Sequence, residues 1–143
     1  MTATIRKTDV FSDSYRMLYV KLNEVSTFNS RVYSAFPEKV VDKKSDYPLI
    51  VITPVDVTYS PLTFISLKRG PIRFAVDIYS TSSKGLDDLS GDFVEKMESS
   101  ENDFYISGVV AMRLVSTAYG QFERSGLRVH NKSFHYEFDF GWY

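Results

Sequence analysis

The last ten residues carry the most regular pattern in the chain, an alternation of aromatic and polar residues. Successive side chains of a β-strand point to opposite faces, so a period of two predicts a half-buried strand. The large apolar side chains of one predicted face are Phe134, Tyr136, Phe138, Phe140 and Trp142. His135, Glu137 and Asp139 occupy the other face. Each buried large apolar side chain contributes roughly 1.5–3 kcal/mol, so this row anchors the C-terminal segment to a core.

Three earlier segments also have the patterning of strands. Residues 49–53 form a short apolar run that ends at Pro54. Residues 72–79 alternate large apolar side chains with polar or small ones, and residues 109–119 give a further strand. Together with the aromatic strand, these segments predict a sheet of about four strands.

The final strand is predicted to begin well before the aromatic row and to cover residues 127–142. Its apolar face changes parity near Asn131, which indicates a β-bulge at that point. Residues 121–126 are predicted to be the loop that joins this strand to the preceding one as a hairpin.

Two segments have the periodicity of amphipathic helices. The first is predicted over about residues 13–25, with Ser12 or Asp13 as its N-cap. Its apolar stripe consists of Tyr15, Leu18, Tyr19 and Leu22. The second is predicted over residues 82–99. Its apolar stripe consists of Leu86, Leu89, Phe93 and Met97.

Residues 55–70 do not fit the pattern of the flanking strands, and we name this segment the arm. It combines Tyr59, Leu62, Phe64 and Ile65 with the basic pair Lys68 and Arg69. The arm is either a β-hairpin or a long loop. Exposed apolar residues beside charge are typical of a protein interface, and the alternative is an arm folded onto its own sheet.

The order of elements is α, β, arm, β, α, β, β, with no internal repeat and no linker. Helices packed on one face of a mostly antiparallel sheet define an α+β fold. With 143 residues and 43% hydrophobic content, the chain has the size and composition of one domain over residues 1–143.

Charge and composition narrow the classes of function. The formal net charge is −1, so the general electrostatic attraction to nucleic acid is missing. The chain has no cysteine, which excludes disulfides and thiolate metal sites. We expect neither a secretion signal nor a membrane-spanning segment, because no long apolar run is present.

The best candidate for chemistry is the polar face with His135, Glu137 and Asp139, near His130. Residues i and i+4 of a strand lie about 13–14 Å apart, so all three cannot hold one metal ion. Ser80 to Gly85 precede a helix but lack the spacing of a phosphate-binding loop, and no nucleophile elbow is present. We therefore expect no enzyme, no metal and no cofactor.

In the order of its segments, the chain resembles the tail terminator or tail completion proteins of long-tailed bacteriophages, which join tail to head. The resemblance covers about residues 12–143, and no single motif in it is diagnostic. It consists of the opening helix, Arg31-Val32-Tyr33 with Pro37, Tyr47-Pro48-Leu49-Ile50-Val51-Ile52, Phe74-Ala75-Val76-Asp77-Ile78-Tyr79 before the helix of Leu86 to Met97, and Gly126-Leu127-Arg128-Val129-His130 before the aromatic strand. The arm has no counterpart in this pattern.

The resemblance implies an α+β domain that forms a ring, typically a hexamer, in the virion. The ring would stack on the last ring of the tail tube protein and dock to the head connector or neck protein. DNA would pass through its lumen without specific binding, and no membrane would be involved. Before assembly the protein would be in the host cytoplasm.

A head-to-tail ring needs two different contact surfaces on each copy, and the sequence offers the arm and a charged sheet face. The expected ring-interface residues are Tyr59, Leu62, Phe64, Ile65, Lys68, Arg69, Arg73, Asp77, Arg113, Glu137 and Asp139. Opposite charges on the sheet face would pair across subunits. The loop of Gln121, Phe122, Glu123 and Arg124 is expected to contact neighbouring rings.

Two alternatives remain open. The chain is a different neck, baseplate or sheath-capping component of a virion, or it is a small-ligand-binding α+β protein. A ligand-binding protein needs a concave aromatic pocket, for which Tyr79 and Tyr119 are the candidate residues.

Overall fold

Ten helices and strands make up the part of the chain that the structure, a computed structural model, describes, namely residues 10–34, 44–57, 60–61 and 68–142. In chain order they are α1 (Val10–Asn23), β1 (Val32–Tyr33), a short 3-10 helix (Lys44–Asp46), β2 (Leu49–Val57), β3 (Ser60–Pro61), β4 (Lys68–Ser80), α2 (Ser83–Ser99), α3 (Glu101–Ser107), β5 (Val109–Arg124) and β6 (Leu127–Trp142).

The strands form one mixed sheet in the order β1, β2, β4, β6, β5, and β3 adds a short pairing to the start of β4. Only β1 and β2 run parallel, and the other pairs are antiparallel. Strands β4 and β6 pair without a register shift from Lys68 opposite Trp142 to Ser80 opposite His130. This long central ladder sets the two faces of the sheet.

The three helices cover one face of the sheet, which we name the helix face. Helix α1 contacts β1 and β2, α2 contacts β4 and β6, and α3 contacts β5. At the centre, the ring of Phe138 lies 5.9 Å from Phe74 and 5.7 Å from Phe104, measured between centroids. Phe93 packs 4.8 Å from Phe134 in the same core.

The α+β fold with helices on one face is confirmed. The four predicted strands correspond to β2, β4, β5 and β6, and the two predicted helices to α1 and α2. The structure adds the two-residue strands β1 and β3 and the seven-residue helix α3. Helix α3 ends at Gly108, whose positive φ of 116° forms a left-handed C-cap.

The bulge predicted near Asn131 is wrong, because β6 pairs with both neighbours there without a shift. The apolar parity changes for a different reason. Val129 lies on the face opposite the helices and packs with Tyr47 and Leu49 in a second, small core, while Phe134 lies in the main core. Both faces of β6 are therefore covered by apolar residues, each along a different part of the strand.

The loop predicted over residues 121–126 is shorter than expected. Strand β5 continues to Arg124, and the turn consists of Ser125 and Gly126, with φ of 51° and 80°. Register shifts do occur in this hairpin, but on β5, between Val109 and Ala111 and between Leu114 and Ser116. The result is a long two-stranded ribbon.

Residues 55–57, 60–61 and 68–70 of the arm lie within the described residues. Strand β2 extends to Val57, and β4 begins at Lys68, where it pairs with β3 and β6. The described ends of the arm are therefore strands.

Candidate interaction surfaces

Glu137 lies in the centre of a charged row on the face opposite the helices. The register places Arg73 of β4 and Arg113 of β5 directly opposite it, one on each side. The Arg113 guanidinium donates to the Glu137 carboxylate over 2.8 Å, and Arg73 lies 3.5 Å from its other oxygen. This hydrogen bond and the negative charge of Glu137 raise the pKa of Arg113.

The alternation of β6 predicted the correct face for Glu137 but not its burial. Glu137 is only 6% exposed, whereas the side chains of Arg73 and Arg113 are 48% and 63% exposed. The carboxylate thus has both of its partners inside one chain, and the two cations reach the surface. Asp77 and Asp139 lie half-buried on the same face. Contact between this face and a neighbouring copy stays a prediction.

Lys21 forms a second ionic cluster, which the sequence pattern did not indicate. It is buried at the end of α1 and lies 2.5 Å from Asp103 of α3 and 3.8 Å from Glu24. Lys96 of α2 lies 3.3 Å from the same Glu24 carboxylate. The bond from Lys21 lowers the pKa of Asp103. The only local signal was the i, i+3 spacing of Lys21 and Glu24, so the cluster could not be found without the position of α3.

Among the side chains that the structure describes, the hairpin of β5 and β6 carries the largest group of exposed apolar ones. Strand β5 is at the end of the sheet order, and among the described strands it pairs only with β6. Its exposed apolar residues are Leu114 (44%), Val115 (46%), Tyr119 (58%) and Phe122 (37%). An exposed edge strand with apolar side chains is a template for pairing with another chain.

The residues expected to contact neighbouring rings lie at the far end of this hairpin. Gln121, Phe122 and Glu123 are exposed and Arg124 is half-buried. Glu123 lies 3.7 Å from Arg128 across the hairpin. The structure brings these residues together on a strand rather than on a loop.

The two tyrosines considered for a ligand pocket lie on opposite faces of the sheet. Tyr119 stacks on His130, with its hydroxyl 2.6 Å from Nδ1. Tyr79 packs beside the second core and makes an edge contact with Phe122. Burial is the main cause that raises the pKa of Tyr79 to about 12, and the nearby Asp77 adds to it. These two residues therefore do not form a common aromatic pocket.

The opposite end of the sheet has a smaller apolar surface on α1 and β1. Tyr19 (40%), Val20 (45%) and Tyr33 (38%) are exposed there. Tyr15 connects the helix to the strand, because its ring stacks on Tyr19 and its side chain hydrogen-bonds Ser34.

Four of the predicted interface residues, Tyr59, Leu62, Phe64 and Ile65, lie outside the described residues. Lys68 and Arg69 belong to β4 and pair through their backbone with β3. The arm as a ring contact therefore stays a prediction.

The described part of the molecule has shallow depressions beside α2. One, of about 260 Å³, lies between the turn after α1 and α2 and is lined by Val25, Ser26, Asp92, Glu95, Lys96 and Ser99. Another, of about 420 Å³, lies beside Tyr105 with Glu98 and Glu101. Among the described residues, no group of three or more His, Asp or Glu is placed to hold a metal ion. None of the described helices combines the length and hydrophobicity that a membrane crossing requires.

No protein-family model matches the sequence, and no curated protein matches it. Among solved structures, the chain is similar to a chain of the virion of a native gene transfer agent particle. The TM-score is 0.42 at 9% sequence identity, over 85% of this chain and 91% of that chain. A TM-score this low does not define a common fold, so the functional argument rests on the surfaces described above.

Proposed function

We propose that the chain is a structural virion protein that forms a ring at the head-proximal end of a phage tail tube. The ring, a hexamer in the proposal, joins the tube to the head connector and lets DNA pass through its lumen. The role requires no catalytic residue, metal or cofactor. The order of sequence segments, which resembles that of tail terminator proteins, supports the proposal.

The observation that carries the proposal is the placement of exposed apolar side chains at both ends of the sheet. Tyr33 lies on β1 at one end, and Leu114 and Tyr119 lie on β5 at the other. A protein that works alone has little reason to expose such residues on two separate surfaces. A subunit of a closed ring needs two different surfaces, one for each neighbour.

The charge of the chain also supports the proposal. The net charge of −1 provides no general attraction to the phosphate backbone, so DNA would pass without being held. On the face opposite the helices, the Glu137 carboxylate already neutralises part of the charge of Arg73 and Arg113.

The experiment measures the mass of the purified protein by light scattering over a concentration series, followed by negative-stain imaging with tail tubes of the same phage that lack their terminator. We expect closed rings, free or on one end of the tube, where further addition of tube protein stops. Tubes without added protein and tubes with an unrelated protein of similar mass are the controls. A monomer at every concentration that also ignores tube ends would contradict the proposal.

An alternative position in the virion predicts a different image. A baseplate component would bind the opposite end of the tube, and a sheath-capping component would bind only where sheath is present. The same grids, prepared with tubes and with sheathed tails, separate these outcomes.

A further inference from the structure

The two exposed surfaces at the ends of the sheet differ in composition. We name the first the β5 patch, which consists of Leu114, Val115 and Tyr119 with Tyr105 of α3; Phe122 lies on the other face of the sheet. Tyr105 is 67% exposed and lies beside the carboxylates of Glu98 and Glu101. The β5 patch is therefore apolar, with an acidic border beside Tyr105 and with Lys132 opposite Tyr119.

We name the second surface the α1 patch, which consists of Arg16, Tyr19 and Val20. Arg16, Tyr19 and Val20 are spaced i, i+3 and i+4, so they lie on one side of α1, and all three are exposed. The stack of Tyr15 on Tyr19 and the bond from Tyr15 to Ser34 hold this side of the helix to the β1 end of the sheet. The α1 patch is therefore apolar with a basic residue.

We propose that the β5 patch of one copy docks onto the α1 patch of the next copy, head to tail. This inference rests on the proposed ring. The acidic border of one patch meets the arginine of the other, so the two patches are complementary in charge as well as apolar.

The exposed area fits a contact with a second copy. A whole aromatic side chain presents roughly 150–250 Å². Two aromatic and two aliphatic residues exposed by 44–67% on the β5 patch thus present a few hundred Å² of apolar surface. A standard interface buries about 800 Å² on each partner, with an apolar centre and a polar border.

The strand edge adds a second source of affinity. Among the described strands, β5 pairs on one side only, so the backbone N–H and C=O groups of its other side point away from the sheet. In the dimer these groups lie along the contact, where the Tyr19 hydroxyl and the Arg16 guanidinium of the α1 patch replace part of their water.

Complementary blocked variants test the inference. The variant Leu114→Lys/Tyr119→Lys blocks the β5 patch, and Tyr19→Lys/Val20→Lys blocks the α1 patch. Lysine is used in both so that the two blocked surfaces repel each other. The matched control is Ser83→Lys/Gly91→Lys on the exposed side of α2, where nothing lies within 4 Å of a Cβ at position 91. Circular dichroism and thermal melting establish that each variant folds.

We expect each blocked variant to be a monomer in light scattering, and an equimolar mixture of the two to double in mass and grow no further. The mixture retains one intact pair of patches, so it stops at a dimer, while the control assembles like the unmodified chain. If the α1 variant alone forms dimers, β5 pairs with itself and the inference is wrong. If both variants assemble like the control, neither patch is in the contact and the inference is also wrong.

Disulfide trapping can detect a contact that is too weak to change the mass in solution. Because the chain has no cysteine of its own, the introduced cysteines are the only ones that can react. Val115→Cys placed in the α1 variant and Val20→Cys placed in the β5 variant should give a crosslinked heterodimer on mixing. Neither chain alone should give a comparable yield of homodimer. Absence of the heterodimer up to the highest attainable concentration overturns the inference.

The tube-binding images separate failure of this contact from failure of the proposed function. If the heterodimer is trapped but the protein does not bind tube ends, the contact is supported and the tail role is contradicted. If a protein with both patches blocked still caps tubes, the tail role is supported and the contact is contradicted.

Discussion

Glu137 is a carboxylate on a face that the sequence pattern predicts to be solvated, yet it is nearly buried. The alternation of β6 places it correctly, because side-chain direction is a local property of a strand. Its burial depends on Arg73 and Arg113, which come from strands distant in sequence and meet Glu137 through the register. The sequence predicts these three residues on one charged face, but their pairing within one chain depends on the register, which a single sequence does not show.

Because of this charged row, substitution of the two arginines and substitution of Glu137 are expected to lower stability by different amounts. Arg73→Ala/Arg113→Ala leaves the Glu137 carboxylate buried without its partners, which is costly. Glu137→Gln leaves two guanidiniums that are already exposed and stay hydrated, so its cost is smaller. Urea unfolding should therefore give a lower midpoint for the double arginine variant than for Glu137→Gln.

The triple variant Arg73→Ala/Arg113→Ala/Glu137→Gln provides the control for this row. We expect it to be more stable than the double arginine variant, because the unpaired charge is gone. Equal midpoints for the two would show that Glu137 does not depend on the arginines.

Truncation of the Phe138 side chain is expected to cause a large loss of stability. It is fully buried between Phe74 and Phe104. Phe138→Ala should lower the free energy of unfolding by roughly 3–5 kcal/mol, measured by urea or thermal unfolding. Leu114→Ala, on the same face of the neighbouring strand but 44% exposed, should cost much less. Similar melting of both variants would contradict the aromatic core.

At the scale of elements, helix α3 is the part that sequence analysis missed. It has only seven residues, and Phe104 is the one among its described side chains that lies in the main core, so it has no repeated apolar stripe to detect. Gly108 was the available signal, because a glycine after a short polar segment is typical of a helix C-cap. The missed helix brings Asp103 to Lys21 and so ties α1 to the rest of the helix layer.

The bond between these helices predicts a dependence on pH. The pKa of Asp103 is lowered in the folded state, so its contribution to stability is present above the ordinary carboxyl pKa of about 4. The contribution is lost as the pH falls through the lowered value. Asp103→Asn should therefore melt below the unmodified chain at pH 7, and the difference should vanish near pH 2.

Asp87→Asn, on the exposed side of α2, is the control for this pH series. It should melt like the unmodified chain at both pH values. A difference between Asp103→Asn and the unmodified chain that is the same at pH 7 and pH 2 would mean that the ion pair is not its cause.

At the scale of the whole molecule, sequence patterning gave the layers of the fold but not the distribution of its surfaces. Periodicity identifies the buried side of each helix and strand, so the α+β architecture followed from it. The order of strands decides which residues reach the ends of the sheet, and that order is set by long-range pairing. Periodicity alone therefore predicts an ordinary strand for the exposed group on β5. It also predicts a bulge at the parity change in β6, because it does not show the second core under Val129.

The register shift in β5 determines how the fold responds to a change in the number of residues of this strand. Between Leu114 and Ser116 its register shifts, so Leu114 lies on the helix face while Phe122, opposite Val129, lies on the other. Val115 is the extra residue at this shift, so deleting it would leave Ser116 to Arg124 with the same partners and on the same faces. Deleting a residue next to the turn would instead exchange the faces of the side chains between the shift and the deletion, including Tyr119. Loss of a single residue in this segment should therefore be tolerated at Val115 and harmful close to the turn.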